Sequence, residues 1–130
     1  MAATPCTITF FYYPDIDAIA PFYETVMGFE LVLDQGLAKI YRAAPANYLG
    51  IVDGERGHLR HQESSAVLFT LVDDDVEGWH ARLAAANVDG LSEILQGRYC
   101  DHFFFRDPGG YALEIQRFRD PGVAALFRSV

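Results

Sequence analysis

The chain has a single lysine, Lys39, only two cysteines, and no apolar stretch approaching the ~20 residues needed to cross a bilayer. Ten Lys and Arg stand against eighteen Asp and Glu, a net charge of −8, and the cations are not clustered. A surface that neutralises nucleic-acid phosphates is therefore excluded. Acidity of this size favours neutral or cationic small ligands, and it is also a plain route to solubility. Cys6 and Cys100 have neither C-x-x-C spacing nor the density of a disulfide scaffold, which predicts reduced thiols in a chain held by its core. Residues 1–5 lack the basic and apolar regions of a secretory signal, so a cytoplasmic location without membrane attachment is expected. No G-x-x-x-x-G-K, G-x-G-x-x-G or G-x-S-x-G spacing occurs, which removes phosphate-cradling loops and the serine nucleophile elbow. What is present is ordinary globular composition: 51% hydrophobic, 14% aromatic and 22% charged residues in a chain of 130. That fits one domain and not a disordered tail.

The organisation is a repeat. Residues 7–13 are a β-branched and aromatic run that predicts a strand. Pro14 ends it, and Asp15 or Asp17 caps a helix whose apolar positions Ile16, Ile19, Phe22, Tyr23 and Val26 recur at helical spacing, with Gly28 at the C-cap. The same order returns sixty residues later, with a strand over 66–72, a capping cluster at 73–75, a helix face of Val76, Trp79, Leu83 and Ala86, and Asn87 at its end. This offset pairs Ile8 with Leu68, Ile16 with Val76 and Tyr23 with Leu83. Strand-like runs follow each helix, at 29–33, 38–42 and 48–52, and again at 92–95, 99–106 and 111–118. Asp107-Pro108-Gly109-Gly110 turns the last pair.

Each half therefore reads β-α-β-β-β. Module one spans about 7–52, a polar linker 53–65, module two 66–118, and a tail 119–130 with a short terminal helix over 123–130. A unit of about sixty residues buries only ~60% of its unfolded surface, so the two are expected to form one domain. The expected fold class is α+β, two βαβββ modules forming one curved mixed sheet with a concave cavity, the natural place for a small molecule.

The stretch Phe103-Phe104-Phe105-Arg106-Asp107-Pro108-Gly109-Gly110-Tyr111-Ala112-Leu113-Glu114 resembles the terminal hairpin of the vicinal oxygen chelate superfamily. That superfamily includes glyoxalase I, extradiol ring-cleaving dioxygenases and bleomycin-resistance proteins. Its hairpin has an aromatic strand, an Asp-Pro-x-Gly turn and a Glu four residues beyond the glycine. Asp15-Ile16-Asp17 through Phe22-Tyr23 to Met27-Gly28-Phe29 is similar to its opening helix, and the resemblance covers residues 7–118. In the metal enzymes of this group one divalent cation is held by His and Glu or Gln side chains from both halves, with two cis positions open to vicinal substrate oxygens.

Carried over position by position, the resemblance implies Glu114 as a metal ligand. The other places hold Ile8, Leu68 and, at or beside the counterpart of Glu114, Gly50. One carboxylate does not hold a catalytic metal, so no resident cofactor is expected, with a divalent metal on rearranged ligands as the alternative. The tyrosine that ring-cleaving members place three residues before the hairpin aspartate is Phe104 here, and no His lies over 95–97. Intact extradiol chemistry is disfavoured, and glyoxalase I chemistry fails on the same ligand set. Antibiotic-resistance members bind their drug without metal, and this chain resembles them in size, acidity and missing ligands. Pairing of two-module members implies a homodimer.

Glu114 alternates with Leu113 and Ile115. With those two facing the helices, Glu114 faces the cavity as a ligand-binding carboxylate; a solvated strand residue is the plain alternative. Alternation puts His102 and Arg106 on the side of Phe104, with His102 a strand neighbour of Glu114. His102 then serves as general base, replacement ligand or hydrogen-bonding residue, or is a partly exposed strand histidine. Phe10, Tyr12, Tyr48, Phe104 and Arg106 are the candidate pocket, with Tyr99 or Tyr111 as further hydroxyl handles. Phe22, Tyr23 and Trp79 read as core, His58 and His61 as linker surface, and His80 as a helix margin. The expected function is binding of a small aromatic or cationic organic ligand. Its rivals are an enzyme of lyase, isomerase or dioxygenase type, using a rearranged metal or a His102/Glu114 acid–base pair, and an interaction module with a vestigial cavity.

Overall fold

In the computed structural model, which describes residues 5–127, the chain divides between Glu63 and Ser64 into two units, each built on its own four-stranded mixed sheet. The curved sheet expected from the repeat is thus two hydrogen-bonded sheets, one per unit. In the first unit, β1 (Thr7–Tyr13) runs parallel to β4 (Asn47–Asp53), while β2 (Glu30–Asp34) and β3 (Ala38–Ala44) complete the order β1-β4-β3-β2. Phe11, Tyr13, Tyr41, Leu49 and Ile51 are fully buried on one side of it. Tyr23 packs over them, its ring 6.0 Å from that of Tyr41 and 6.2 Å from that of Phe29. The Tyr41 hydroxyl donates to the Glu24 carboxylate at 2.8 Å. Burial, together with that anionic acceptor, pushes the phenol well above its ordinary range.

The continuous helix expected over 16–26 does not form. A 3₁₀ turn (Ile16–Ala18), capped by Asp15, is followed by a π-helical turn (Phe22–Val26). Ala20 and Pro21 form a brief α-helical junction between the two turns, and Pro21 has no N–H to bond the carbonyl four residues back. The backbone therefore tightens before the proline and widens after it: Ile19 N–H reaches Ile16 O at 3.1 Å, and Met27 N–H reaches Phe22 O at 2.9 Å. Gly28, at φ 71°, ends the segment as expected of a C-cap glycine. Ile16, Ile19, Phe22 and Tyr23 still point inward.

The second unit repeats the plan more regularly. β5 (Leu68–Val72) is parallel to β8 (Ala112–Phe118), and β7 (Cys100–Arg106) and β6 (Leu95–Gln96) follow in the order β5-β8-β7-β6. α1 (Val76–Ala85) starts where the Asp75 carboxylate accepts from Gly78 N–H at 3.0 Å, and it ends before Asn87, whose φ of 53° is the left-handed cap. Val76 and Leu83 of α1 are buried on the side of Phe103, Phe105, Leu113 and Ile115, all of them buried too. His80 sits at the margin, its Nε2 2.9 Å from Ser92 O and its ring edge-on to Phe103.

Trp79 is not core. Its indole N–H donates to Asp73 at 2.9 Å, which leaves the ring half-buried at the helix start under the Arg82 guanidinium. The strand expected over 92–95 shrinks to two residues because Ser92 bonds Phe104 twice, by N–H to its carbonyl and by Oγ from its N–H. Asp107 closes the hairpin by accepting from Gly109 and Tyr111 N–H. α2 (Pro121–Ala125) begins earlier than expected, since Asp120 caps it with Pro121 at its first position. Residues 128–130 of the expected terminal helix lie outside the described residues. Both cysteines are free, and no helix among the described residues is long and apolar enough to cross a membrane.

Candidate functional site

Strand alternation gives each sheet a helix side and a helix-free side. In the second sheet Phe103, Phe105, Leu113 and Ile115 take the helix side, so Leu68, Thr70 and Val72 of β5, Glu114 and Gln116 of β8, and His102 and Phe104 of β7 take the other. Across the strands Thr70 pairs with Glu114, and Glu114 with Phe104. Glu114 is 9% exposed, and its Oε1 accepts a 2.7 Å hydrogen bond from the Thr70 hydroxyl. Leu68, 47% exposed, and Val72, also exposed, flank its partner Thr70 on the same side, and exposed Leu95 lies two strands away. Among the described residues no Lys or Arg forms an ion pair with Glu114. A carboxylate taken from water calls for a partner, and Thr70 supplies only one hydrogen bond.

His102 and Glu114 share this side as diagonal neighbours on adjacent strands, an arrangement with Cα atoms ~7–8 Å apart. The imidazole engages other groups: Nδ1 lies 3.5 Å from Cys100 Sγ and 3.3 Å from Cys100 O, and the ring meets Phe104 edge-on at 5.3 Å. Burial pushes the Cys100 thiol up, and the charges of Glu114 and Asp101 push it further. Arg106, the last residue of β7, is exposed and drawn to the loop before β6. Its guanidinium is 3.9 Å from Asp89 and lies where a Cβ on Gly90 would stand. Tyr99 is largely exposed and Tyr111 half-buried.

The first sheet answers position for position. Phe10 pairs with Gly50, and Gly50 with Ile40, the counterparts of Thr70, Glu114 and Phe104. Gly50 is therefore the register counterpart of Glu114. A Cβ at Gly50 would run into the Phe10 ring, so the ring lies over the glycine in the place that module two gives to a carboxylate. Phe10 is nevertheless 42% exposed, and its neighbour Ile8 on the same side is exposed too. Tyr12 lies against Gly57 of the linker, and the Tyr48 hydroxyl accepts from Arg42 at 2.8 Å while its ring lies under that guanidinium. His58 is exposed, and His61 is half-buried against Gly54.

The four register places at which the family's metal ligands are expected hold Ile8, Gly50, Leu68 and Glu114. Only the last offers a donor, and among the described residues no group of three or more His, Cys, Asp and Glu is placed to hold a metal ion. The donor set at those places does not fit a divalent cation. Sequence reasoning missed Thr70, the partner of Glu114. Its signal was a hydroxyl between Phe69 and Leu71 in an apolar run, but its register with Glu114 exists only once β5 and β8 are paired.

Residues 7–115 match the family model described as Glyoxalase/Bleomycin resistance protein/Dioxygenase superfamily. Among solved structures the chain is similar to a lactoylglutathione lyase from Agrobacterium tumefaciens, at 22% identity and TM-score 0.72 over 90% of this chain and 96% of that one. It is also similar to TnmS3, an antibiotic binding protein from Streptomyces sp. CB03234, at 22% identity and TM-score 0.71 over 91% and 98%. TioX from Micromonospora sp. ML1 matches at 16% identity and TM-score 0.74 over 88% and 99%. At these identities the likeness is one of fold. No curated protein matches the chain.

Proposed function

The chain belongs to the glyoxalase/bleomycin resistance protein/dioxygenase superfamily, and on that premise we propose that it binds a small aromatic or cationic organic ligand without a complete catalytic metal site. The observation that carries this reading is Glu114: a buried carboxylate, held by one hydroxyl, without a cationic partner among the described residues and with exposed apolar side chains on its side of the sheet. A ligand that brings a positive charge to the free carboxylate oxygen and an apolar ring to Phe104 and Leu68 satisfies both surfaces at once. The net charge of −8 attracts such a ligand over longer range. TnmS3, described as an antibiotic binding protein on the same fold, supports the binding reading, and the lactoylglutathione lyase supports its rival.

That rival is an acid–base enzyme working through His102 and Glu114, and its support is their shared side of the second sheet. Homodimerisation and a cytoplasmic location accompany the first reading; light scattering at monomer mass contradicts the dimer. A thermal-shift series separates the two functions. Metal-free bleomycin, catechol, a glutathione conjugate and divalent metals are each tested with and without chelator, on the natural chain and on Glu114→Gln. The binding reading expects a cationic or aromatic compound to raise Tm in chelator, with the gain lost in Glu114→Gln. Stoichiometric metal bound through Glu114, or turnover of the stabilising compound that His102→Gln abolishes, overturns it.

A further inference from the structure

The far end of the second sheet carries a cleft beyond the place of Glu114, where β8 ends. Arg98, Tyr99, Phe118, Arg119, Asp120 and Val123 line an opening of about 700 Å³ where β7 begins, β8 ends and α2 starts. That volume is within the ~300–1,000 Å³ of small-molecule sites. Tyr99 is 71% exposed, with the Arg98 guanidinium over its ring, 5.4 Å from the centroid. Phe118 stacks with Phe127 at 4.8 Å.

The charges at the cleft are already assigned, with one exception. Asp101 pairs with Arg117 at 3.0 Å and with Arg119 at 3.1 Å, and Arg119 also donates to Gly97 O. The Asp120 carboxylate accepts from Gly122 N–H at 2.8 Å. Arg98 alone of the lining cations has no carboxylate partner among the described residues, in a chain where acids outnumber bases eighteen to ten.

We propose that this cleft is a second small-molecule site, selective for a planar aromatic carboxylate whose ring stacks on Tyr99 and whose carboxylate pairs with Arg98. A guanidinium matches a carboxylate in two parallel hydrogen bonds, and an aromatic ring loses water as it stacks on Tyr99. Phe118 shares the side of Glu114 but stands four residues along β8 from it, about 13 Å at ~3.3 Å per residue, which sets the two sites apart, and they prefer opposite charge.

The test is an amide NMR titration of the full chain with 2-naphthoate, repeated with the neutral 2-naphthalenemethanol. Saturable shifts confined to residues 98–99 and 118–123 are expected, with affinity at least tenfold weaker for the alcohol and for Arg98→Gln or Tyr99→Ala. Both substitutions are on exposed side chains, so folding is preserved. Glu114→Gln is expected to leave the naphthoate affinity as it was, which separates this site from the one proposed above. Equal affinity of the alcohol or of Arg98→Gln overturns the proposal, as does absence of saturable shifts. Shifts of the same amides on dilution without ligand also overturn it, since they place a second copy in the cleft.

Discussion

Two sheets built to one plan carry different chemistry at one pair of positions. Thr70 and Glu114 in module two form a short hydroxyl–carboxylate hydrogen bond, while their counterparts Phe10 and Gly50 form a ring laid over a bare backbone. The helix sides of the two sheets are alike, each a dense set of buried aromatic and aliphatic side chains. The lesson is that the repeat holds where packing demands it and diverges on the side left free. At the register place of Glu114, module one offers a glycine under an aromatic ring and no donor.

The comparison can be broken or sharpened by substitution. The largest effect is expected from Phe103→Ala, which empties a fully buried place on the helix side and costs about 3–5 kcal/mol. Phe10→Ala, on the free side of module one, costs about 0.5 kcal/mol or less, in line with exposed positions. Denaturant midpoints check both, and equal losses would erase the distinction between the two sides. Next is Thr70→Val, which keeps shape but strips Glu114 of its donor, with a cost of about 1–3 kcal/mol. The double variant with Glu114→Gln should recover part of that loss, because the charge it strands is gone.

A smaller effect separates the helical segments. Asp75→Ala removes the cap of a regular α-helix and costs about 1 kcal/mol. Asp15→Ala, before a single 3₁₀ turn, costs less by thermal melting. The smallest effect is pH-dependent. Arg117 donates to both Glu77 oxygens and holds its carboxyl down to about 2, from an ordinary 4.5. A folded-state value below the unfolded one stabilises above pH 4.5 and is lost as pH falls towards 2. The Tm gap between the natural chain and Glu77→Gln should therefore close over that window. Module one has Asp53 where module two has Arg117, and it pairs locally with Arg56 at 2.8 Å.

The strands were legible in the sequence because alternation and turn residues write them directly: 7–13 is β1 to the residue, and Asp107 closes the hairpin its motif announces. The first helix departs from its apolar spacing because Pro21 has no N–H to carry an α-helical bond through the segment. Glu114 stood out as a charge in an apolar strand. Thr70 did not, because a parallel register is set by the crossover and not by any local signal. Arg106 and Tyr48 share the right parity with the candidate pocket, yet the Asp89–Gly90 loop and Arg42 engage them. Alternation assigns a side of the sheet; it does not say which neighbour a long side chain will choose.

The central claim is that Glu114 recognises its ligand as a bare carboxylate. Calorimetric titration, in excess chelator, of the cationic or aromatic compound that raises Tm most in the thermal-shift series tests it most directly, on the natural chain and on Glu114→Gln. The account predicts saturable binding to the natural chain and at least tenfold weaker binding to the variant. Equal binding by the two, or no binding until a divalent metal is added back, would contradict it.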